Sequence, residues 1–241
     1  VEPEPSMGDD RCMPGETLAA VAGVVANRTR AAFCDSLLDG RSWSLSQLAD
    51  AAGVSLPTAS EHATVLVAAG LCREHRRGRS RRLALADARV AGCLEELASL
   101  AGPRQTGGRT LAAVSKRQAL ARGRTCYDHL AGRLGAAITD ALHERGVLDT
   151  AFAFTPFGRE WFADHFAGPI APGRRPLTRS CLDWTERRSH LAGAAGARVC
   201  TVLFERRWIE RIGTDRAVVP TAEGAEGIGR LLGCDVSGDS R

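Results

Sequence analysis

Leu48-Ala49-Asp50-Ala51-Ala52-Gly53-Val54-Ser55-Leu56-Pro57-Thr58-Ala59-Ser60-Glu61-His62 reads as two short helices joined by a tight turn. Leu45, Leu48, Ala49 and Ala52 recur at helical spacing, Ser44 or Ser46 is placed to cap the first turn, and Gly53 stops the helix. Ser55 then caps a second helix. Pro57 sits in its first turn, where a missing N–H costs nothing, and Ala63, Leu66 and Val67 carry it to Gly70. Two short helices joined in this way make a helix-turn-helix.

Working upstream, Leu18, Val21, Val24 and Val25 form one helical stripe and Ala32, Phe33, Leu37 and Leu38 another, broken near Asn27, with Gly40 as the expected stop. Downstream, the period changes. Leu71–His75 and Ser80–Leu85 read as strands around the turn Arg76-Arg77-Gly78-Arg79, a β-hairpin wing with six arginines against one acid between Leu71 and Arg82. Asp87 opens a further helix through Val90, Leu94, Leu97 and Leu100, and the Gly- and Pro-bearing residues 102–109 read as a linker.

The chain has 241 residues, 25% charged and 44% apolar, enough for two small domains that each bury a core. Its net charge is +4, and all its basic residues except Lys116 are arginine, whose planar fork suits phosphate and guanine. Eight cysteines in a chain of this size, without a basic and apolar leader, read as reduced thiols in a cytoplasm. Residues 1–14 are acidic and Pro-rich and read as a disordered tail. Val1 reads as an alternative start codon, with Met7 and Met13 as the other candidate starts. No apolar run reaches the roughly 18 residues of a membrane-spanning helix.

The second half, 110–241, contains an internal duplication. Arg124-Thr125-Cys126-Tyr127-Asp128 returns as Arg179-Ser180-Cys181-Leu182-Asp183, and each copy then reaches His-Leu-Ala-Gly, at His129–Gly132 and His190–Gly193. Gly135 matches Gly196, Glu144-Arg145 matches Glu205-Arg206, and Thr155–Gly158 matches Thr221–Gly224. The period predicts helix, hairpin, helix, twice over. The fold class expected is therefore mainly α (α+β): a winged helix-turn-helix at 15–101, the linker, then two related helix-hairpin-helix units.

A helix that enters the major groove needs short polar side chains at its start and apolar ones behind. Ser55, Thr58, Ser60 and His62 supply the first, and Arg73, Arg76, Arg77, Arg79 and Arg81 of the wing are placed to meet phosphates. Asn27-Arg28-Thr29-Arg30, Leu48–Ser55, Thr58–His62 and Ala69-Gly70-Leu71 together resemble the ArsR/SmtB family of winged-helix repressors, over about Glu16 to Leu100. The resemblance implies a homodimer joined through its first and fifth helices, bound to a two-half-site operator and released by an inducer.

The ligand positions of metal-sensing relatives are missing. No cysteine lies in Leu45–Asp50, Asp87-Ala88-Arg89 stands where the resemblance implies Asp-x-His, and Val65 and Ala69 stand where it implies cysteines. The duplicated half offers another set, Cys126, His129, Cys181 and His190, suited to a soft divalent metal. Cys126-x-x-His129 has the spacing of neighbours on one helical turn, with Asp128 and Asp183 beside each pair to orient a ligand. Packing is the competing reading, since cysteine is among the most buried residues. Cys72, beside the second helix, is a candidate for thiol oxidation, and the aromatics from Tyr127 to Trp208 are candidates to line an organic-ligand pocket. A Cys-dependent enzyme is the distant alternative, since no Gly-rich phosphate loop, nucleophile elbow or metalloprotease motif is present. The expectation is a DNA-binding protein and not an enzyme.

Overall fold

A computed structural model of the chain describes residues 14–77, 80–101, 111–171, 173, 175–213 and 216–237. The expected linker at 102–109, and all of the expected tail except Pro14, lie outside the described residues. The first half runs α1 (Pro14–Val25), α2 (Arg28–Leu37), β1 (Trp43–Ser44), α3 (Leu45–Ala52), α4 (Leu56–Ala68), β2 (Cys72–Arg77), β3 (Ser80–Leu85) and α5 (Ala88–Ala101). Local chemistry sets these boundaries. Asn27 accepts from the N–H groups of Thr29 and Arg30, and Ser44 and Gln47 form a reciprocal capping box. Gly53 closes α3 in the left-handed region, and Ser55 accepts from Thr58 N–H. Gly40 is not the cap; α2 ends at Leu37, with Leu38 as its C-cap.

The wing strands pair antiparallel, and β1 adds to β3 to give a three-stranded sheet in the order β1-β3-β2. Sequence reading passes over β1 because two residues carry no alternation. Phe33, Leu37, Leu48, Ala59, Ala63, Leu66 and Leu83, all fully buried, knit α2, α3, α4 and the sheet into one core.

The second half runs α6 (Leu111–Arg122), β4 (Arg124–Cys126), β5 (His129–Ala131), α7 (Gly132–Glu144), α8 (Pro156–His165), β6 (Arg179–Leu182), β7 (Ser189–Ala192), α9 (Gly193–Glu205), β8 (Ile209–Arg211), β9 (Val218–Pro220) and α10 (Ala222–Leu232). The duplication is structural, but its unit differs from a plain helix-hairpin-helix. Each copy opens on a hairpin, β4-β5 or β6-β7, before its first helix. A second pairing precedes its last helix: β8-β9 in one copy and a single Leu148–Phe154 bridge in the other. His-Leu-Ala is a strand in both copies, and strands of three or four residues are too short to show a period of two. The repeated Thr-x-x-Gly records packing. Thr155 and Thr221 cap α8 and α10, and a Cβ on Gly158 or Gly224 would lie 2.0 or 1.8 Å from the carbonyl oxygen of Val147 or Trp208.

The copies interlock, β5 packing on α9 and β7 on α7, with β5 and β7 side by side. Beneath them lies a core of Leu130, Ile138, Leu142, Phe162, Leu191, Leu203 and Ile228. The first half is fastened to this body at several points. Tyr127 N–H donates to Leu38 C=O at 2.7 Å, Arg187 reaches Ser99 C=O at 3.0 Å, and Arg216 meets both Glu95 and Asp35.

Candidate functional site

The two halves carry two different surfaces. On the first, Ser55 is exposed at the N-terminus of α4, with Thr58, Ser60 and His62 half-buried along the same helix, while Arg73 and Arg76 stand exposed on the wing. The backbone of Arg77 ends β2; its side chain, like Arg79, lies outside the described residues. Arg81 is not a free cation: it donates to Ser60 Oγ at 2.8 Å and Thr64 Oγ1 at 3.2 Å and meets Glu74 at 2.7 Å. It locks the wing against α4, so two residues expected to touch DNA separately are bound to each other.

On the second surface the interlocked hairpins bring Cys126, His129, Cys181 and His190 together. All four are buried, and one donor atom from each lies within 4.8 Å of the rest. Cys126 and His129 are not neighbours on a helical turn. They face one another across the Tyr127-Asp128 turn of β4-β5, as Cys181 faces His190 across β6-β7. Cross-strand pairing puts both side chains of a pair on one face of their hairpin, and the packing of the copies turns the two faces inward. The sulfurs lie 3.9 Å apart and the imidazoles stack with centroids 5.1 Å apart. His129 Nε2 and both ring nitrogens of His190 are buried without a hydrogen-bond partner. Buried polar atoms are seldom left so, and three in one cluster point to something that binds there.

The surroundings orient the set. His129 Nδ1–H donates to Asp128 at 3.3 Å, and Arg175 holds the same carboxylate, at 2.9 Å to Oδ1. Burial works against that charge, but His129 and Arg175 hold the Asp128 carboxyl down at about 2. In the other copy Asp183 lies 3.7 Å from His190 Nδ1 and accepts from Arg124 at 3.0 Å, from Gly132 N–H, and from Thr185 and Glu186. Burial opposes its charge as well, and Arg124, Thr185 and the backbone donors outweigh it, keeping the carboxyl well below its usual range. A carboxylate hydrogen-bonded to an imidazole is the arrangement that fixes a ligating histidine; Asp128 provides it for His129, whereas Asp183 stands beside His190 beyond hydrogen-bond reach.

Between the sulfurs, the hydrogen bond from Cys126 pushes Cys181 toward thiolate against burial, and the same bond keeps Cys126 a thiol. Burial disfavours a charged His129, but Asp128 and Cys181 outweigh it and raise its pKa. Among the other described cysteines, Cys34, Cys72 and Cys200 are buried. Burial lifts Cys34 to about 11 and Cys72 and Cys200 to about 12, which removes the thiolate that oxidation of Cys72 needs.

Sequence reasoning finds the four residues and the two carboxylates but misses Arg124, whose guanidinium is fully buried over Trp184. A buried arginine gives no signal in a chain where nearly every cation is arginine. The aromatics split between core and surface: Phe162 and Phe166 are fully buried, Trp161 packs beside them, and Phe157 is exposed.

A helix-turn-helix domain family matches residues 25–75. The chain is 33% identical over 212 residues, 86% of its length and 93% of the other, to YdfF, an HTH-type transcriptional regulator of Bacillus subtilis (strain 168). Among solved structures, it is similar to the homodimeric winged helix-turn-helix DNA-binding domain Mb0332 of Mycobacterium bovis. The identity is 23%, over 44% of this chain and 100% of that one, with a TM-score of 0.37. It is also similar to the transcriptional repressor BigR of Xylella fastidiosa, with 21% identity over 36% and 87% and a TM-score of 0.33.

Proposed function

Since the chain belongs to the HTH-type transcriptional regulators and its first half is an ArsR-like winged helix-turn-helix, we propose that it is a homodimeric repressor that leaves its operator when a soft metal occupies Cys126, His129, Cys181 and His190. The observation that carries the metal reading is the convergence of two sulfurs and one ring nitrogen from each of two histidines in one buried cluster, with partnerless nitrogens on both rings. The donors fit the group. Zinc-like ions take thiolate and imidazole at about 2.3 and 2.0–2.1 Å, so a tetrahedral site needs its sulfurs roughly 3.8 Å apart, and they stand at 3.9 Å. The bound ion would supply a positive charge and four bonds tying the two hairpins together. The residues themselves prepare for it: Asp128 orients the His129 imidazole, Cys181 is already pushed toward thiolate, and the proton that binding would displace is the one Cys126 holds between the two sulfurs.

Ser55, Thr58, Ser60 and His62 read bases or seat α4, while Arg73, Arg76, Arg77 and Arg79 grip phosphate. Leu18 and Val21 on α1 and Leu97 and Leu100 on α5 are exposed, Leu100 at 83%, which supports a dimer through those helices. Among the described residues no helix is long and apolar enough to cross a membrane, and a DNA target assigns the work to the cytoplasm. On this reading the cluster senses and does not catalyse.

Fluorescence anisotropy on the DNA upstream of its gene tests the first part. Arg76→Ala should weaken binding about equally across sequences and flatten the slope of log affinity against log salt by roughly one; an unchanged slope removes Arg76 from the contact. Cd(II)–thiolate absorption tests the second. Cys126→Ser with Cys181→Ser should lose the band and more than the about 10- to 100-fold of affinity that loss of an outer-shell partner costs. Retention of the band would place the metal elsewhere.

A further inference from the structure

A cavity of about 580 Å3 lies where α6, α7, the β8-β9 hairpin and the last described residues meet, and none of the four cluster residues lines it. Its size is that of a small organic ligand site. Leu134 and Ala137 of α7, Val218, Val219 and Pro220 of β9, and Val236 supply its apolar lining. Val219, with Ile212 also on the wall, stays 37% exposed and Ile212 40%, apolar surface that the fold itself leaves uncovered. The charged lining is Arg122 at the end of α6, Arg133 in the first turn of α7 and Arg188 before β7, against Glu186 and Asp235, which leaves one positive charge in excess. Arg188 is paired with Asp140 at 2.6 Å, and Asp235 accepts from Ser237 N–H at 2.9 Å. Among the described residues Arg122 and Arg133 have no hydrogen bond or ion pair. Arg133 is set against the helix dipole, since a cation in the first turn adds to the positive end of α7. Nor does the repeated fold call for either arginine. In the register that matches Arg124 with Arg179 and Gly132 with Gly193, Leu177 stands for Arg122 and Ala194 for Arg133.

We propose that this cavity binds an organic carboxylate carried on an apolar chain or ring, with Arg122 and Arg133 holding the carboxylate and Leu134, Ala137 and β9 receiving the apolar body. A guanidinium meets a carboxylate through two parallel N–H donors. One unit of excess positive charge suits a monoanion, and an apolar body covers the surface that Ile212 and Val219 expose. The site stands apart from the metal reading, because its lining and the Cys126, His129, Cys181 and His190 cluster share no residue.

Calorimetric titration of the full chain with octanoate and with octanamide tests this, the amide keeping the chain and losing the charge. Octanoate should bind at least about tenfold more tightly, the least that a hydrogen bond to a charged group contributes. Arg122→Gln with Arg133→Ala should remove that preference, whereas a folded Cys126→Ser, Cys181→Ser variant should keep it. Both arginines are exposed, and alanine at 133 copies Ala194 of the other repeat, so the fold tolerates the change. Should the double variant fail to fold, Arg133→Ala alone, which should cut the preference by at least about threefold, decides in its place. Absence of octanoate binding, equal affinity for the two ligands, or a preference that survives the arginine variant overturns the proposal. Loss of the preference in the cysteine variant overturns it too, by placing the carboxylate beside the cluster. So does displacement of octanoate by an equal concentration of inorganic phosphate, which would assign the two arginines to phosphate.

Discussion

Asp183→Asn should lower the stability of the protein by about 3–5 kcal/mol at pH 7, the usual cost of stranding one member of a buried ion pair. Both side chains of the Arg124–Asp183 pair are fully buried, so the guanidinium would keep its charge with no countercharge and no water. The carboxylate also receives Gly132, Thr185 and Glu186, and an amide cannot accept all of these. The pH dependence separates charge from shape. The Asp183 carboxyl titrates well below its usual range in the folded protein, so its contribution is complete above the unfolded value of about 3.9 and is lost as pH falls toward the folded value. The gap between wild type and Asp183→Asn, read from urea melts, should therefore narrow from pH 7 to pH 3. A constant gap would assign the loss to packing.

What the sequence discloses depends on how local the causes are. Asn27, Ser44, Gly53 and Ser55 end or start helices through bonds to residues two to four positions away, and each can be named from its neighbours. The wing is legible for the same reason, its charge and alternation both lying within Cys72–Leu85. The duplication is legible too, but its meaning is not. Cys126 and His129 sit at a spacing that suits one helical turn as well as a hairpin with a two-residue turn. The structure has the hairpin, β5 pairing with β4, lying beside β7 and packing on α9. Convergence of the two pairs depends on how the copies interlock, over about fifty residues of separation. Arg124 is harder still, since only the packing shows which arginine is buried. The arginines expected at the tip of the wing, Arg77 and Arg79, receive no structural test, while Arg81 turns from a phosphate contact into a strut because Ser60, Thr64 and Glu74 surround it.

Arg216→Ala should cost a further 3–5 kcal/mol or about that and should also uncouple the two halves. Arg216 leaves the second half to meet Glu95 of α5, itself 2% exposed, and Asp35 of α2 at 2.9 Å. Burial disfavours its charge, and those two carboxylates outweigh the burial and hold it protonated. Its carbonyl accepts Thr125 N–H, the residue beside Cys126, and the next residue but one, Tyr127, donates to Leu38 at the end of α2. On the proposed function, a movement of β4-β5 on metal binding would have two short paths to α2 and α5 of the winged domain. A double-mutant cycle with Glu95→Gln checks the energetic claim, since removing the stranded acid should return about 0.5–3 kcal/mol of the loss; an additive cycle would deny the pair its role. Linkage checks the functional claim. If metal weakens DNA binding by some factor, DNA must weaken metal binding by the same factor. In Arg216→Ala, assayed where it remains folded, both affinities should persist while that shared factor falls toward one. A factor unchanged from wild type would leave Tyr127 and Leu38 as the path that carries the signal.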